Sequence, residues 1–320
     1  MRRFVRFCGC LPVMLGGLCF ADPTPETLLA QGRVDEVIAT LQQKTSSSPN
    51  DAASYNLLCR AYFSLGDWDR GISACERATQ LDSGNGTYHL WLGRIYGEKA
   101  DASNFLSAAG LAKKVRTEFE AAVRLAPDNP EARADLAEFY LEAPGLVGGG
   151  RDKAEVQATA LDRLDPARAH WVRGRLAEKR KDRTTAEREY RAAIDASGGG
   201  ALAWFNLALF YRHASQYDQM EDAVNHAIAA PLDRPEVVME SAEILIRAGR
   251  NFPAASELLR RYLASNDKVE QAPAFKAHYL LGTVLEKQGN KQAAAKEYIA
   301  ALALARTYSR AQEALTRVSR

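Results

Sequence analysis

Apolar and small residues in this chain fall into a pattern that resets every 34 positions. Cys59 and Gly93, and then Gly174, Ala208 and Ala242, stand 34 apart in closely similar surroundings. The fullest copy has Trp204 four before Ala208, Leu207 directly before it, Tyr211 three after and Ala227 nineteen after. Spacings of three and four place such residues on one face of a helix, and the break near Ser215 predicts two helices joined by a turn. Other copies carry Tyr55, Leu58, Cys59 and Tyr62, then Gly66, Gly71, Cys75 and Ala78. Leu92, Gly93 and Tyr96 lead to Phe119, Ala122 and Pro127, and Leu136, Ala137 and Tyr140 lead to Ala154 and Pro166. Gly174 goes with Ala186, Tyr190 and Ala193, Ala242 with Gly249 and Ala254, and Leu281 and Gly282 with Gly289, Ala294, Tyr298 and Ala301. One helical hairpin cannot hide its apolar face alone, so units of this kind stack on their neighbours.

The pattern resembles the tetratricopeptide repeat over most of residues 24 to 306. In that family small residues sit where the two helices of a unit touch, large apolar ones fill the space around them, and a proline often ends the second helix. The resemblance implies an all-α fold, a right-handed superhelical α-solenoid of about seven helix-turn-helix units. Their expected positions are near 22–50, 52–85, 86–128, 129–166, 167–199, 201–234, 235–271 and 275–307, the first partial around Gly32, Val34, Leu41 and Pro49. Ala311, Ala314, Leu315 and Val318 give residues 308–320 one apolar stripe, which reads as a helix capping the stack. A composition that is 47% hydrophobic supplies the core, and no composition shift divides the solenoid.

Residues 1–21 read as an export signal rather than as fold. Arg2, Arg3 and Arg6 precede an apolar run from Phe7 to Phe20, and Ala21 offers a small residue for cleavage before Asp22. The run is shorter than the roughly 20 residues of a membrane span. A retained anchor is the alternative, and Gly9 before Cys10 keeps a lipid-modified cysteine open. The expected location is the periplasm or the exterior, with no span left after cleavage. Loss of three arginines and no acid takes the net charge from +2 to about −1. A near-neutral chain lacks the basic excess that bulk nucleic-acid binding calls for.

Cys59 and Cys75 are the two cysteines after Ala21. In the family's terms Cys59 occupies the small contact position and Cys75 the place of an aromatic ring, opposite one another across the turn at Gly66. In an oxidising compartment they are expected to form a disulfide; two buried thiols acting as small hydrophobes are the alternative.

Two turns are long. Residues 97–114 include Asp101, Asn104, Phe105 and Leu106, with Ser103 or Asn104 available to cap a lengthened second helix. Residues 141–153 include Pro144, Leu146, Val147 and three glycines in a row. Inserts in a repeat array emerge on one edge, often the binding edge. Either they form a lobe over the groove, or Phe105, Leu106, Leu146 and Val147 pack into a small satellite core.

Catalytic patterns fail one by one. Gly145 and Gly150 have the glycine spacing of a phosphate-binding loop, but Arg151 and Asp152 replace its Lys and Ser or Thr and no strand precedes them. Gly71 to Cys75 lies within a predicted helix and ends in Cys where a nucleophile elbow needs Gly. His89, His170 and His278 share one slot in three units, a whole repeat apart, so no metal ligand set is expected. Neither a cofactor nor enzyme activity is expected.

What remains is a surface. In the family the first helices line a concave groove that binds an extended peptide or a partner helix. The matching positions are Asn56, Arg60 and Phe63, then Arg94, Glu138, Trp171 and Arg175, then Phe205, Leu209 and Arg212, and Tyr279. Planar guanidinium groups pair with carboxylates and aromatic rings bury area at small entropic cost, so Arg60, Arg94 and Arg175 are candidates to hold an acidic segment. The branch of the family that clamps a terminal carboxylate uses Lys and Asn in adjacent units. Asn56 and Asn206 are not adjacent and lysine is absent from the matching places, so that subtype is not expected. The expected function is a non-catalytic protein or peptide-binding adaptor or scaffold in the cell envelope. The alternative is a small-ligand-binding or enzyme-accessory protein with its pocket in the 97–114 and 141–153 lobe.

Overall fold

The computed structural model describes residues 23–231 and 234–320, so the export-signal segment lies outside the described residues. Eight consecutive helical hairpins run through them. They are α1 (Pro25–Ala30) with α2 (Val34–Ser47), α3 (Ala52–Leu65) with α4 (Trp68–Leu81), α5 (Gly86–Asp101) with α6 (Phe105–Leu125), and α7 (Pro130–Glu142) with α8 (Arg151–Leu164). Then come α9 (Pro166–Lys179) with α10 (Arg183–Ala196), α11 (Ala201–His213) with α12 (Tyr217–Ala229), α13 (Glu236–Ala248) with α14 (Phe252–Ala264), and α15 (Ala274–Lys287) with α16 (Lys291–Leu304). A last helix, α17 (Ser309–Val318), lays Ala311, Ala314 and Val318 against the final hairpin. There is no strand among the described residues, and the all-helical solenoid expected from the repeat is the fold observed. Its first hairpin has only six residues in α1.

Local chemistry starts most helices. Asp51, Asp67, Asp165, Asp182 and Asn290 each accept a backbone N–H from the first turn, with Pro166 following Asp165 at the position where a missing N–H costs nothing. Asn104 does the same for α6, accepting from Ser107 at 3.1 Å, so the 97–114 insert is a lengthened hairpin. Gly66 ends α3 at φ +75°, a conformation that costs a side chain about 1 kcal/mol.

The 34-residue slots hold the hairpins shut. A Cβ on Gly93 would lie 2.5 Å from the Phe119 ring, and one on Gly282 the same distance from Tyr298, so these glycines exist because a ring sits on the backbone. The second hairpin fills this slot differently: Cys59 and Cys75 are bonded, with their Cα atoms 5.2 Å apart. Tyrosines three residues past the small residue tie successive units together. Tyr96 donates to Glu76 at 2.5 Å, Tyr140 to Glu120 at 2.9 Å and Tyr211 to Glu187 at 2.8 Å. Each of the three equivalent histidines hydrogen-bonds a glutamate of its own second helix: His89 with Glu118, His170 with Glu189 and His278 with Glu297.

The stack curls until its end meets its beginning. Phe275, Ala305, Tyr308 and Ala311 share one apolar cluster with Leu28, Leu29 and Val34. A Cβ on Gly32 would come within 2.7 Å of the Ala274 nitrogen. Polar ties close the same seam: Arg60 donates to Glu270 at 2.8 Å and the Arg306 backbone N–H to Asp35 at 2.9 Å. Thus α17 both covers the last hairpin and leads Tyr308 into the junction with the first. No helix among the described residues is long and apolar enough to cross a membrane.

Candidate functional site

The first helix of one hairpin touches the first helix of the next, α7 with α9, α9 with α11, α11 with α13 and α13 with α15, while second helices pack chiefly on their own partner and the following first helix. First helices therefore line the inside of the curve. Relative to the small residue of each unit, positions six before, two before and one after face inward. They carry Arg168 and Lys276, then Asp135, Asn206 and Glu240, then Arg60, Arg94, Glu138, Arg175 and Glu243.

Most inward cations are matched by acids of a neighbouring helix. Arg94 donates to Asp135 at 2.6 Å and to Glu131 at 2.7 Å. Arg175 donates to Glu142 at 2.5 Å and stands 3.8 Å from Glu138, and Lys179 shares Glu142. Lys276 pairs with Glu243 at 3.0 Å and Arg234 with Glu236 at 2.7 Å. Burial pushes the Asp135 carboxyl above the usual range despite the Arg94 guanidinium beside it. Glu240 is pushed up to about 7, chiefly by burial and then by the neighbouring charge of Glu236, with Lys276 acting the other way.

The predicted groove residues divide into three groups. Asn56 (4% exposed) and Phe205 (8% exposed) lie in the core between units, three before the small residue, where the inter-unit seam closes over them. Phe63, Trp171 and Tyr279 are half-buried, and Phe63 packs edge-on against Trp68 and Trp91. Arg60, Arg94, Glu138 and Arg175 face inward, but the three arginines meet carboxylates of their own chain. Arg175 and Arg212 each keep a buried Nε with no hydrogen-bond partner.

A hollow of about 350 Å³ opens between α7, α9, α11 and the segment before α13. Trp171 and Leu202 give it apolar wall, and Asp135, Arg168, Asn206 and Arg234 stand on its border. The sequence pointed to Trp171 alone as a groove residue here. Asp135, Arg168, Leu202 and Asn206 sit six or two positions before the small residue, and that periodicity was the signal available for finding them, whereas Arg234 lies before α13 and outside it.

The insert turns take neither expected form. Phe105, Leu106 and Leu146 are 80%, 84% and 88% exposed, whereas Val147 is buried, so no satellite core joins them. Apolar side chains facing solvent also do not enclose a hollow. Gly145–Val147 forms a 3-10 turn, with Gly148 beyond it against Arg116 of the previous hairpin. Gly71 is a helical glycine over which Ile95 packs, and Cys75 is disulfide-bonded. Among the described residues no group of three or more His, Cys, Asp or Glu is placed to hold a metal.

A sequence model of the family described as tetratricopeptide repeat matches residues 26–86 and 240–311. Those two segments are tetratricopeptide repeats. The matched segments hold the first two and the last two hairpins, and the same slots continue between them. Among solved structures, yeast Tom70 is similar at 14% identity, covering 89% of this chain and 58% of that one with a TM-score of 0.55. The Cut9–Hcn1 hetero-tetramer of APC/C is similar at 14% identity over 92% of this chain and 54% of that one, TM-score 0.42. TTC0263, a thermophilic tetratricopeptide repeat protein of Thermus thermophilus, gives 18% identity over 61% of this chain and 99% of that one, TM-score 0.45. The chain thus spans a little over half the length of the first two. At these identities the likeness concerns fold, and the Tom70 comparison carries it. No curated protein matches the chain in sequence. Tetratricopeptide repeats generally form protein-interaction scaffolds rather than enzymes.

Proposed function

We propose that this protein is a non-catalytic scaffold of the cell envelope that receives a segment of a partner protein on its concave face. The observation that carries the reading is the hollow between α7, α9 and α11. It joins an aromatic wall at Trp171 to polar groups at Asp135, Arg168, Asn206 and Arg234. Such a combination gives an extended segment both buried area and directed hydrogen bonds. The arginines at Arg94 and Arg175 are engaged by Asp135, Glu131 and Glu142, so an acidic partner would have to displace the chain's own carboxylates there. Envelope location rests on the basic start and apolar run of residues 2–20.

A photocrosslinking side chain at Leu202, on the hollow, should give one discrete adduct in cells, and Asn206→Ala should reduce it several-fold. The same group at Arg188, on the exposed side of α10, should not give that adduct. Equal labelling from both positions would sink the concave-face reading.

A further inference from the structure

The first-to-second-helix turns of the third, fourth and fifth hairpins lie side by side on one edge of the stack. Gly148 abuts Arg116, and Arg151 donates to the Lys179 carbonyl at 3.1 Å. This edge differs from the rest of the surface in two respects. It carries three of the most exposed large apolar side chains, Phe105, Leu106 and Leu146. It also carries Lys113, Arg151, Lys153, Arg180, Lys181 and Arg183, all exposed and none in an ion pair with a described carboxylate. The acids nearby are Asp101, Asp152 and Asp182. Among the equivalent turns, Asp67 and Asp69 follow α3, Asp218 follows α11 and Arg250 after α13 is paired with Asp218 and Glu221, while Lys287 and Lys291 around the turn after α15 are exposed cations with no exposed large apolar side chain beside them.

Geometry arranges the two kinds of group by height. Phe105 starts α6 fourteen residues before its ring slot at Phe119, while α10 starts seven before Tyr190, so the tip of α6 stands about 10 Å further out at 1.5 Å per residue. Lys113 is two turns behind that tip, about 12 Å. An interfacial segment sinks its apolar groups about 5–10 Å into the headgroup boundary, which would leave Lys113 level with the phosphates. We propose that this edge docks on an anionic lipid surface, with Phe105 and Leu106 entering the headgroup region and the surrounding cations facing lipid phosphates. A second copy of the chain fits less well, because a symmetric contact would set these unpaired cations against one another. The proposal does not depend on what the concave face binds.

The test uses full chains that all carry the same residues 1–22, so differences among them report the edge. Vesicles of phosphatidylglycerol and phosphatidylcholine in equal parts are compared with phosphatidylcholine alone by co-sedimentation. Binding should favour the anionic vesicles at least tenfold and weaken as salt rises, since the attraction of cations to such a surface is screened within a Debye length. Phe105→Ser with Leu106→Ser should weaken it roughly tenfold, and Arg180→Gln with Lys181→Gln and Arg183→Gln at least as much. The indole introduced by Phe105→Trp should be quenched by brominated lipid chains. Equal sedimentation of all variants, or an unquenched indole, would overturn the proposal. So would a dimer in sedimentation velocity that the Phe105 and Leu106 changes dissolve while vesicles bind nothing.

Discussion

Two surfaces of the third to fifth hairpins use arginine and lysine to opposite ends. On the inner face Arg94 and Arg175 reach across to α7, where Asp135, Glu131 and Glu142 receive them. On the turn-bearing edge of the same hairpins Arg180, Lys181 and Arg183 point into solvent without a carboxylate partner. The difference lies in register. Inner-face cations repeat on adjacent first helices packed side by side, so an acid on the first helix of an adjoining unit falls within reach. Edge cations sit on turns, where no neighbouring helix passes in front of them. Inner cations therefore serve the stack, and edge cations are available to something outside it.

The sharpest way to break this contrast is Arg94→Ala. Arg94 is 19% exposed and Asp135 23% exposed, so deletion strands a mostly buried carboxylate. Breaking a buried pair costs about 3–5 kcal/mol, and partial solvent access lowers the expectation here to about 2–3 kcal/mol. Urea unfolding measures it, and Arg94→Ala combined with Asp135→Ala should recover part of the loss, as coupled partners do. A midpoint unchanged by Arg94→Ala would mean that the inner pairs add nothing to the stack.

Glu240 sharpens the contrast from the acid side. Its carboxyl is raised from the ordinary value to about 7, so between about pH 4.5 and 7 the folded state holds a proton that the unfolded state has released. Stability contributed by this group is thus present at low pH and lost as pH rises through 7. Glu240→Gln removes the penalty of ionisation, and at pH 8 the variant should be more stable by about 1–2 kcal/mol after allowance for solvent screening. At pH 4, below both values, the two chains should unfold alike. A benefit of equal size at both pH values would show that packing, not charge, is responsible.

Much of this architecture was legible in the residues because each slot has one physical demand. In four units the small residue faces a ring or a cysteine, a tyrosine reaches the previous unit in several, and an Asp or Asn opens many of the helices. These demands repeat, so a single clear copy around Ala208 exposes the others. The groove residues were less legible. Asn56 and Phe205 occupy the slot three before the small residue, which is buried there and at Leu90, Ala134 and Met239 but half-buried at Trp171 and Tyr279, and no local pattern records that difference. Closure of the stack was not legible at all. The pairing of Arg60 with Glu270 joins residues 210 apart, and depends on the sum of small rotations over eight hairpins. The exposed tip at Phe105 followed the same rule. Its apolar residues read as core material until the length of α6 placed them beyond anything to pack on.

The smallest effect is expected where the contrast is most exposed. Arg180→Gln with Lys181→Gln and Arg183→Gln should shift unfolding by less than about 0.5 kcal/mol, because surface changes away from caps and buried pairs stay within that range. Asp182, which caps α10 through the Thr185 N–H at 3.0 Å, is left in place. Lys181 sits at φ +61°, and glutamine adopts that conformation no less readily than lysine, so the turn gains no strain. A loss as large as that of Arg94→Ala would mean that the edge cations already have a structural partner, and would remove the ground for assigning them to a lipid surface. An unchanged midpoint together with lost vesicle binding would separate recognition from folding on the same three residues.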